Sequence, residues 1–277
     1  MKNLLYKILK KKEPFGSLFS TFFRILRNFI RKVKIFINGN YFITKKSSYV
    51  GDGLAANHVF DFMQDEKFIN SYNEGKSTGA IKNHSSDIHY RAYIACYFAK
   101  HALSLEGDFV ECGVGKGLLA KTICVYLNFD KIDKNFFLFD TFEGIPLNQA
   151  QNDKEKDLME WMNNTIYSND YFAEVSNTFS KYSNVKITKG IIPDCLNKIS
   201  INKISFISID LNNAFAEMKA IEILWNKLGK NGIVLLDDYA YSESFRLQKN
   251  SWDKFAKDKN LEILTLPTGQ GLLIKNN

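Results

Sequence analysis

The chain predicts a doubly wound α/β fold with a mostly parallel sheet and a C-terminal antiparallel hairpin. Three observations carry this. From residue 107 onward the short apolar runs GDFVEC, NFFLFD, NVKITKG, ISFISID and GIVLLDD are rich in Phe, Val and Ile and lack polar alternation, as strands covered on both faces do. Helical stretches such as LLAKTICVYL and AEMKAIEILWNKL stand between them, an order that builds β-α-β crossovers. Finally, LEILTLP and GLLIK flank Thr268-Gly269-Gln270-Gly271, and a connector with two glycines suits a hairpin at the sheet edge. At 277 residues and 45% hydrophobic content the chain can fill a core of that size.

Taken from the N-terminus, residues 1–46 hold twelve Lys or Arg and one acid, Glu13, so they carry +11 of a net +7 and the remainder carries −4. The mildly acidic remainder has no aromatic-plus-basic strip, which argues against nucleic acid as a partner. Within the basic segment Phe15, Phe19, Phe22, Leu26, Phe29 and Val33 recur at helical spacing with Arg24, Arg27, Arg31 and Lys34 opposite, the pattern of a basic amphipathic helix. Its apolar runs are broken by Arg24 and Arg27 and are too short to span a bilayer, and MKNLLYKILKKK offers no small-residue cleavage site. Two roles suit it: peripheral contact with the inner face of an anionic membrane, or packing on the body or on a second subunit of a homo-oligomer.

Residues 47–105 lead into the sheet through a helix, HYRAYIACYFAKHAL, and form a helical N-terminal cover; residues 106–277 form the sheet domain. Residues 147–183 are a long polar and aromatic insertion with a helical stretch, DYFAEVSNTFSKY, suited to a lid or substrate wall. Cys96, Cys112, Cys124 and Cys195 are scattered without C-x-x-C or zinc spacing, which points to a reducing, cytoplasmic compartment.

The first strand runs into Glu111-Cys112-Gly113-Val114-Gly115-Lys116-Gly117. Glycines there let a ligand approach the backbone, and the following helix N-terminus offers free N–H groups. Leu118 stands where a dinucleotide fingerprint needs its third glycine, and no Lys-Ser or Lys-Thr completes a P-loop. The remaining E-x-G-x-G-x-G resembles the first motif of class I S-adenosylmethionine-dependent methyltransferases, whose acid and glycines surround the methionine end of the cofactor. NFFLFD ends in Asp140, placed either to accept from a ribose diol or to cap a helix.

Asp210 closes ISFISID, and Asp237 and Asp238 close GIVLLDD. In a parallel sheet the carboxyl ends of the strands share one edge, so these acids converge beside the glycine loop. Three like charges need a partner, no neighbouring basic residue supplies one, and oxygen-only ligands favour Mg²⁺ or a similar hard cation.

GDFVECGVGKG, LFDTFEGIP, KGIIPDCL, the interval from Asp210 to Asp237 and TLPTGQGLLIK, in that order over residues 85–275, together resemble the macrocin O-methyltransferase family of metal-dependent sugar methyltransferases. The resemblance implies cofactor contacts at Glu111, Gly113, Gly115, Gly117, Asp140, Thr141 and Gly190, with metal held by Asp210, Asp237 and Asp238. The sequence departs from the family at three places: Asn212 where many members have a second Asp, Cys195 where Thr is usual, and no histidine in the loop after Tyr239. The expected reaction is methylation of a sugar hydroxyl acidified by the metal, with Asp210 as ligand and general base, in surface glycan or glycosylated natural-product synthesis. The alternatives are a phenolic acceptor, which needs less activation, or a membrane-tethered scaffold without catalysis.

Overall fold

The computed structural model describes residues 47–81 and 87–276, so the basic helix expected over residues 1–46 lies outside the described residues. Residues 49–54 and 59 onward belong to one compact unit, which carries the sheet. Two helices lead into it, α1 (Glu66–Lys76) and α2 (His89–Ala102). Then follow β1 (Asp108–Cys112), α3 (Leu118–Leu127), β2 (Phe136–Asp140), α4 (Asp153–Thr165), α5 (Phe172–Phe179) and β3 (Val185–Lys189). The chain continues through α6 (Asp194–Asn197), β4 (Ile204–Ile209), α7 (Ala214–Leu224), β5 (Leu228–Leu236), α8 (Arg246–Asp258), β6 (Leu264–Thr265) and β7 (Gly271–Ile274).

The seven strands stand in the order β3-β2-β1-β4-β5-β7-β6, parallel up to β5 and antiparallel for the final pair. This is the expected doubly wound sheet with its terminal hairpin. The first hairpin strand is shorter than LEILTLP suggests, because only Leu264 and Thr265 pair.

The strand periodicity of two divides the core. Phe109, Phe136, Leu138, Phe206, Ile233 and Leu235 face a layer holding Phe68 and Tyr72 of α1, Ala92 and Cys96 of α2 and Ile123 of α3. Val110, Phe137, Phe139, Ile207, Val234 and Leu236 face the opposite layer, with Leu224 of α7 and Trp252 of α8. β4 is buried at every position, as a central strand covered on both faces must be. Phe109 meets Phe129, Phe136 and Phe206 at ring-centroid distances of 5.3–5.8 Å, and each such buried ring contributes about 2 kcal/mol by area alone.

Local chemistry sets the helix starts. Asp65 accepts from the N–H groups of Lys67 and Phe68 to begin α1, Asn152 from Glu155 to begin α4, and Asn213 from Ala216 to begin α7. Gly75 lets α1 and α3 touch, since a Cβ there would lie 2.6 Å from the Leu118 carbonyl oxygen. Glu217 joins α7 to α8 by accepting from Trp252 Nε1 at 2.6 Å and Gln248 Nε2 at 3.0 Å; burial pushes its pKa up to about 7. Among the described residues, no helix is long and apolar enough to cross a membrane.

Candidate active site

The parallel ladder runs one residue past the strand ends. Gly113 donates to the Phe139 carbonyl at 2.8 Å, Gly190 to Asp140 at 2.9 Å, Asp210 to Cys112 at 2.8 Å and Asp237 to Ile209 at 3.0 Å. Those bonds bring the sequence-predicted residues to one sheet edge. A cleft of about 650 Å³, including its open mouth, lies there, and Gly113, Gly115, Asp140, Thr141, Gly190, Asp210 and Asn212 line it. The 147–183 insertion supplies Gln149, Tyr167 and Tyr171 to its wall. Glu111 is buried and, like Gly117, Asp237 and Asp238, stands outside the lining.

The three loop glycines serve different needs. Gly113 has φ +88°, and a Cβ on it would lie 1.8 Å from the Asp210 carbonyl oxygen, so backbone packing alone demands glycine. Gly117, at φ +87°, starts α3 and abuts the Phe179 ring. Only around Gly115 would a Cβ meet nothing within 4 Å, so here the backbone is open to a ligand.

Asp140 caps the glycine loop. Its Oδ2 accepts from the N–H of Val114 at 2.6 Å and of Gly115 at 2.8 Å, and its Oδ1 from Phe142 at 2.6 Å. Burial raises its pKa, and the three N–H groups oppose that rise. Glu111 has no such help: its Oε2 is buried without a partner, and burial, then Asp237 and Asp140, push its pKa well up. Gly190 must be glycine because a Cβ there would lie 2.8 Å from Cβ of Cys195, whose burial lifts the thiol pKa to about 11.

One oxygen from each of Asp210, Asp237 and Asp238 lies within 4.8 Å of the others, an oxygen-only donor set that fits a hard cation. The sequence expectation that no basic residue serves these acids is corrected here. Arg91 of α2 is buried against them: its Nη1 donates to Asp237 Oδ2 at 2.6 Å and Asp238 Oδ1 at 3.3 Å, and its Nε to Asp52 Oδ2 at 3.0 Å. Separation along the chain hides this, since Arg91 stands 146 residues before Asp237. Burial opposes its charge, but Asp237, Asp238 and Asp52 more than offset that and hold its pKa above the ordinary value. Burial and the neighbouring Asp237 and Asp238 drive Asp210 well above the carboxylate range, and Arg91 only partly counters them.

Asn212 also finds a physical reason. Its φ of +53° lies in the left-handed region that Asn and Asp tolerate, so the backbone accepts either residue. Its Nδ2 donates to Asp210 Oδ1 at 2.9 Å and faces Tyr167 Oη at 3.4 Å, while its Oδ1 is buried without a partner. An ionised Asp could not donate in this way.

Residues 95–264 match the profile of macrocin-O-methyltransferase (TylF), a shorter span than the 85–275 expected from the motifs. No curated protein matches the chain. Among solved structures it is similar to the O-methyltransferase NovP (20% identity over 68% of this chain and 80% of that one, TM-score 0.58). It is also similar to the calicheamicin methyltransferase CalS11 (15%, 83% and 100%, TM-score 0.51) and to the SAH-bound Podospora anserina methyltransferase PaMTH1 (11%, 96% and 99%, TM-score 0.50). At such identities these likenesses show the fold. The family match spans more than half of the chain, and it makes this protein a member of the macrocin-O-methyltransferase family and an S-adenosylmethionine-dependent O-methyltransferase.

Proposed function

We propose that the protein methylates a sugar hydroxyl with the help of a divalent cation, in surface glycan or glycosylated natural-product synthesis. The observation that carries this is the convergence of three carboxylate oxygens within 4.8 Å at the edge of the cleft that holds the glycine loop. Family membership supports the sugar as acceptor. Gly113, Gly115, Thr141 and Gly190 would line the S-adenosylmethionine site, Glu111 and Gly117 would shape it from behind and Asp140 would hold its loop. Asp210, Asp237 and Asp238 would hold Mg²⁺. A bound cation supplies Lewis acidity that lowers the pKa of a coordinated hydroxyl.

The chain's own residues do the rest. Asn212 donates to Oδ1 of Asp210 and fixes the orientation of the carboxylate, which takes the acceptor proton as the new O–CH₃ bond forms and the S–CH₃ bond breaks. The cleft walls, Tyr167 and Tyr171 among them, limit water and fix the line of attack. Screening nucleotide sugars and purified glycans with labelled S-adenosylmethionine tests the reading. Turnover is expected to vanish in excess chelator and to return with Mg²⁺, and full activity in chelator would end the cation's role.

Residues 1–46 lie outside the described residues, and their charge and apolar spacing support attachment to an anionic leaflet at about 1 kcal/mol per basic residue near the surface. Full-length protein is expected to sediment with phosphatidylserine vesicles and to be partly released by high salt, while a chain starting at Ser47 stays in the supernatant. Equal sedimentation of both would assign the segment to protein packing.

A further inference from the structure

Arg91 does more than balance charge. This inference rests on reading Asp210, Asp237 and Asp238 as a cation site, and the residues it adds to them, Arg91, Asp52, Thr268 and Gln270, lie outside the 95–264 family match. The Arg91 side chain is 4% exposed. Nη1 reaches both the backbone carbonyl of Asp237, at 2.9 Å, and its Oδ2, while Nη2 donates to the Thr268 carbonyl at 3.3 Å. The guanidinium lies 5.0 Å from the centre of the Tyr241 ring. From the hairpin, Gln270 Nε2 donates to Asp237 Oδ1 at 3.1 Å, and Thr268 Oγ1 donates to Gln270 Oε1 at 2.9 Å. The pairing of Leu236 with Gly271 fixes that approach.

Both oxygens of Asp237 are thus held, Oδ2 by Arg91 and Oδ1 by Gln270, and Asp238 is drawn to the same guanidinium nitrogen. Without a fixed cation, three carboxylates this close would repel and rotate apart. We infer that Arg91, anchored by Asp52 and the Thr268–Gln270 turn, is a positioning residue that presets the Asp237 and Asp238 carboxylates for a divalent cation. The planar fork suits this role, because Nε and Nη2 bind the anchors Asp52 and Thr268 while Nη1 reaches Asp237 and Asp238, a division of labour that the single ammonium of lysine cannot reproduce. TLPTGQG, the C-terminal motif, gains a role here as the second clamp on Asp237.

The test uses the full chain and Mn²⁺ alone, followed by its electron paramagnetic resonance signal. Arg91→Lys keeps the charge but loses the fork; Asp52→Asn frees the anchor without touching Asp237 or Asp238. Both are expected to weaken Mn²⁺ binding about 10- to 100-fold, the range for residues that orient metal ligands. S-adenosylhomocysteine affinity is expected to stay near wild type, and the rise in melting temperature produced by Mn²⁺ is expected to shrink. A purely structural role would lower the melting temperature equally with and without Mn²⁺. If Arg91→Lys does not fold, Asp52→Asn decides the matter. Wild-type Mn²⁺ affinity in a folded variant overturns the positioning role alone, whereas a wild-type protein that binds no Mn²⁺ overturns the cation reading and this inference with it.

Discussion

An Asp210→Asn enzyme is expected to lose methyl transfer by about 10³-fold or more while binding S-adenosylhomocysteine nearly as well as wild type. Two losses coincide at this one position. A positioned general base contributes about 10²–10⁴-fold on its own, and an amide at residue 210 cannot take the acceptor proton. The same change removes one of three carboxylate oxygens from the candidate cation set. Asn has the shape of Asp, and position 210 is held from the backbone by its bond to the Cys112 carbonyl, so the fold is expected to survive. Single-turnover rates with saturating cofactor read the chemistry, and calorimetry reads the binding. Near-normal turnover by a folded variant would remove Asp210 from both roles.

The pH dependence has a definite sign. Asp210 and Asp238 have raised pKa values, from burial first and neighbouring acids second, so each keeps its proton further up the pH scale than an exposed carboxylate. A cation needs the ionised forms, so its affinity is expected to fall as pH drops and its binding to release protons. Calorimetry in buffers of different ionisation enthalpy measures that release.

Four of the five parallel strands were legible because a sheet buried on both faces leaves unbroken apolar runs, whereas the edge strand β3 alternates, with Lys186 and Lys189 exposed; the acids were legible because parallel strands finish at one edge. What the sequence hides has physical causes. Arg91 and Gln270 meet Asp237, and Asp52 meets Arg91, only through long-range folding, and no local pattern marks a buried arginine. Helix α8 reads as polar, its buried Gln248, Trp252 and Ala256 spaced four apart among charges, though that spacing was a usable signal. Helices α1 and α4 are likewise mostly polar, with few buried apolar residues: Phe68 and Tyr72 in α1, Met159 and Met162 in α4. Gly113 was open to reading as a ligand-contact glycine, but the Asp210 carbonyl is what excludes a side chain there.

Asp140 is where sequence left two roles open, and its hydrogen bonds define the sharper test. Asp140→Ala strips the acceptor from three backbone N–H groups, those of Val114, Gly115 and Phe142. Leaving such groups unpaired costs about 1–3 kcal/mol each when buried, and water entering the open cleft would satisfy part of the deficit. A net loss of about 1–3 kcal/mol in cofactor affinity, roughly 5- to 150-fold, is therefore expected, together with a lower melting temperature. Asp140→Asn is expected to rescue little, because one oxygen of the carboxylate becomes an NH₂ that faces donors. The two roles separate in a cycle that pairs the Ala variant with a ribose-deoxy analogue of S-adenosylhomocysteine. A carboxylate that shapes the loop makes the Ala variant bind the analogue worse than wild type by nearly the same factor as it loses for the natural ligand. If wild type and variant bind the deoxy analogue equally, Asp140 instead meets the ribose directly, and its bonds to the loop N–H groups give way when the ligand arrives.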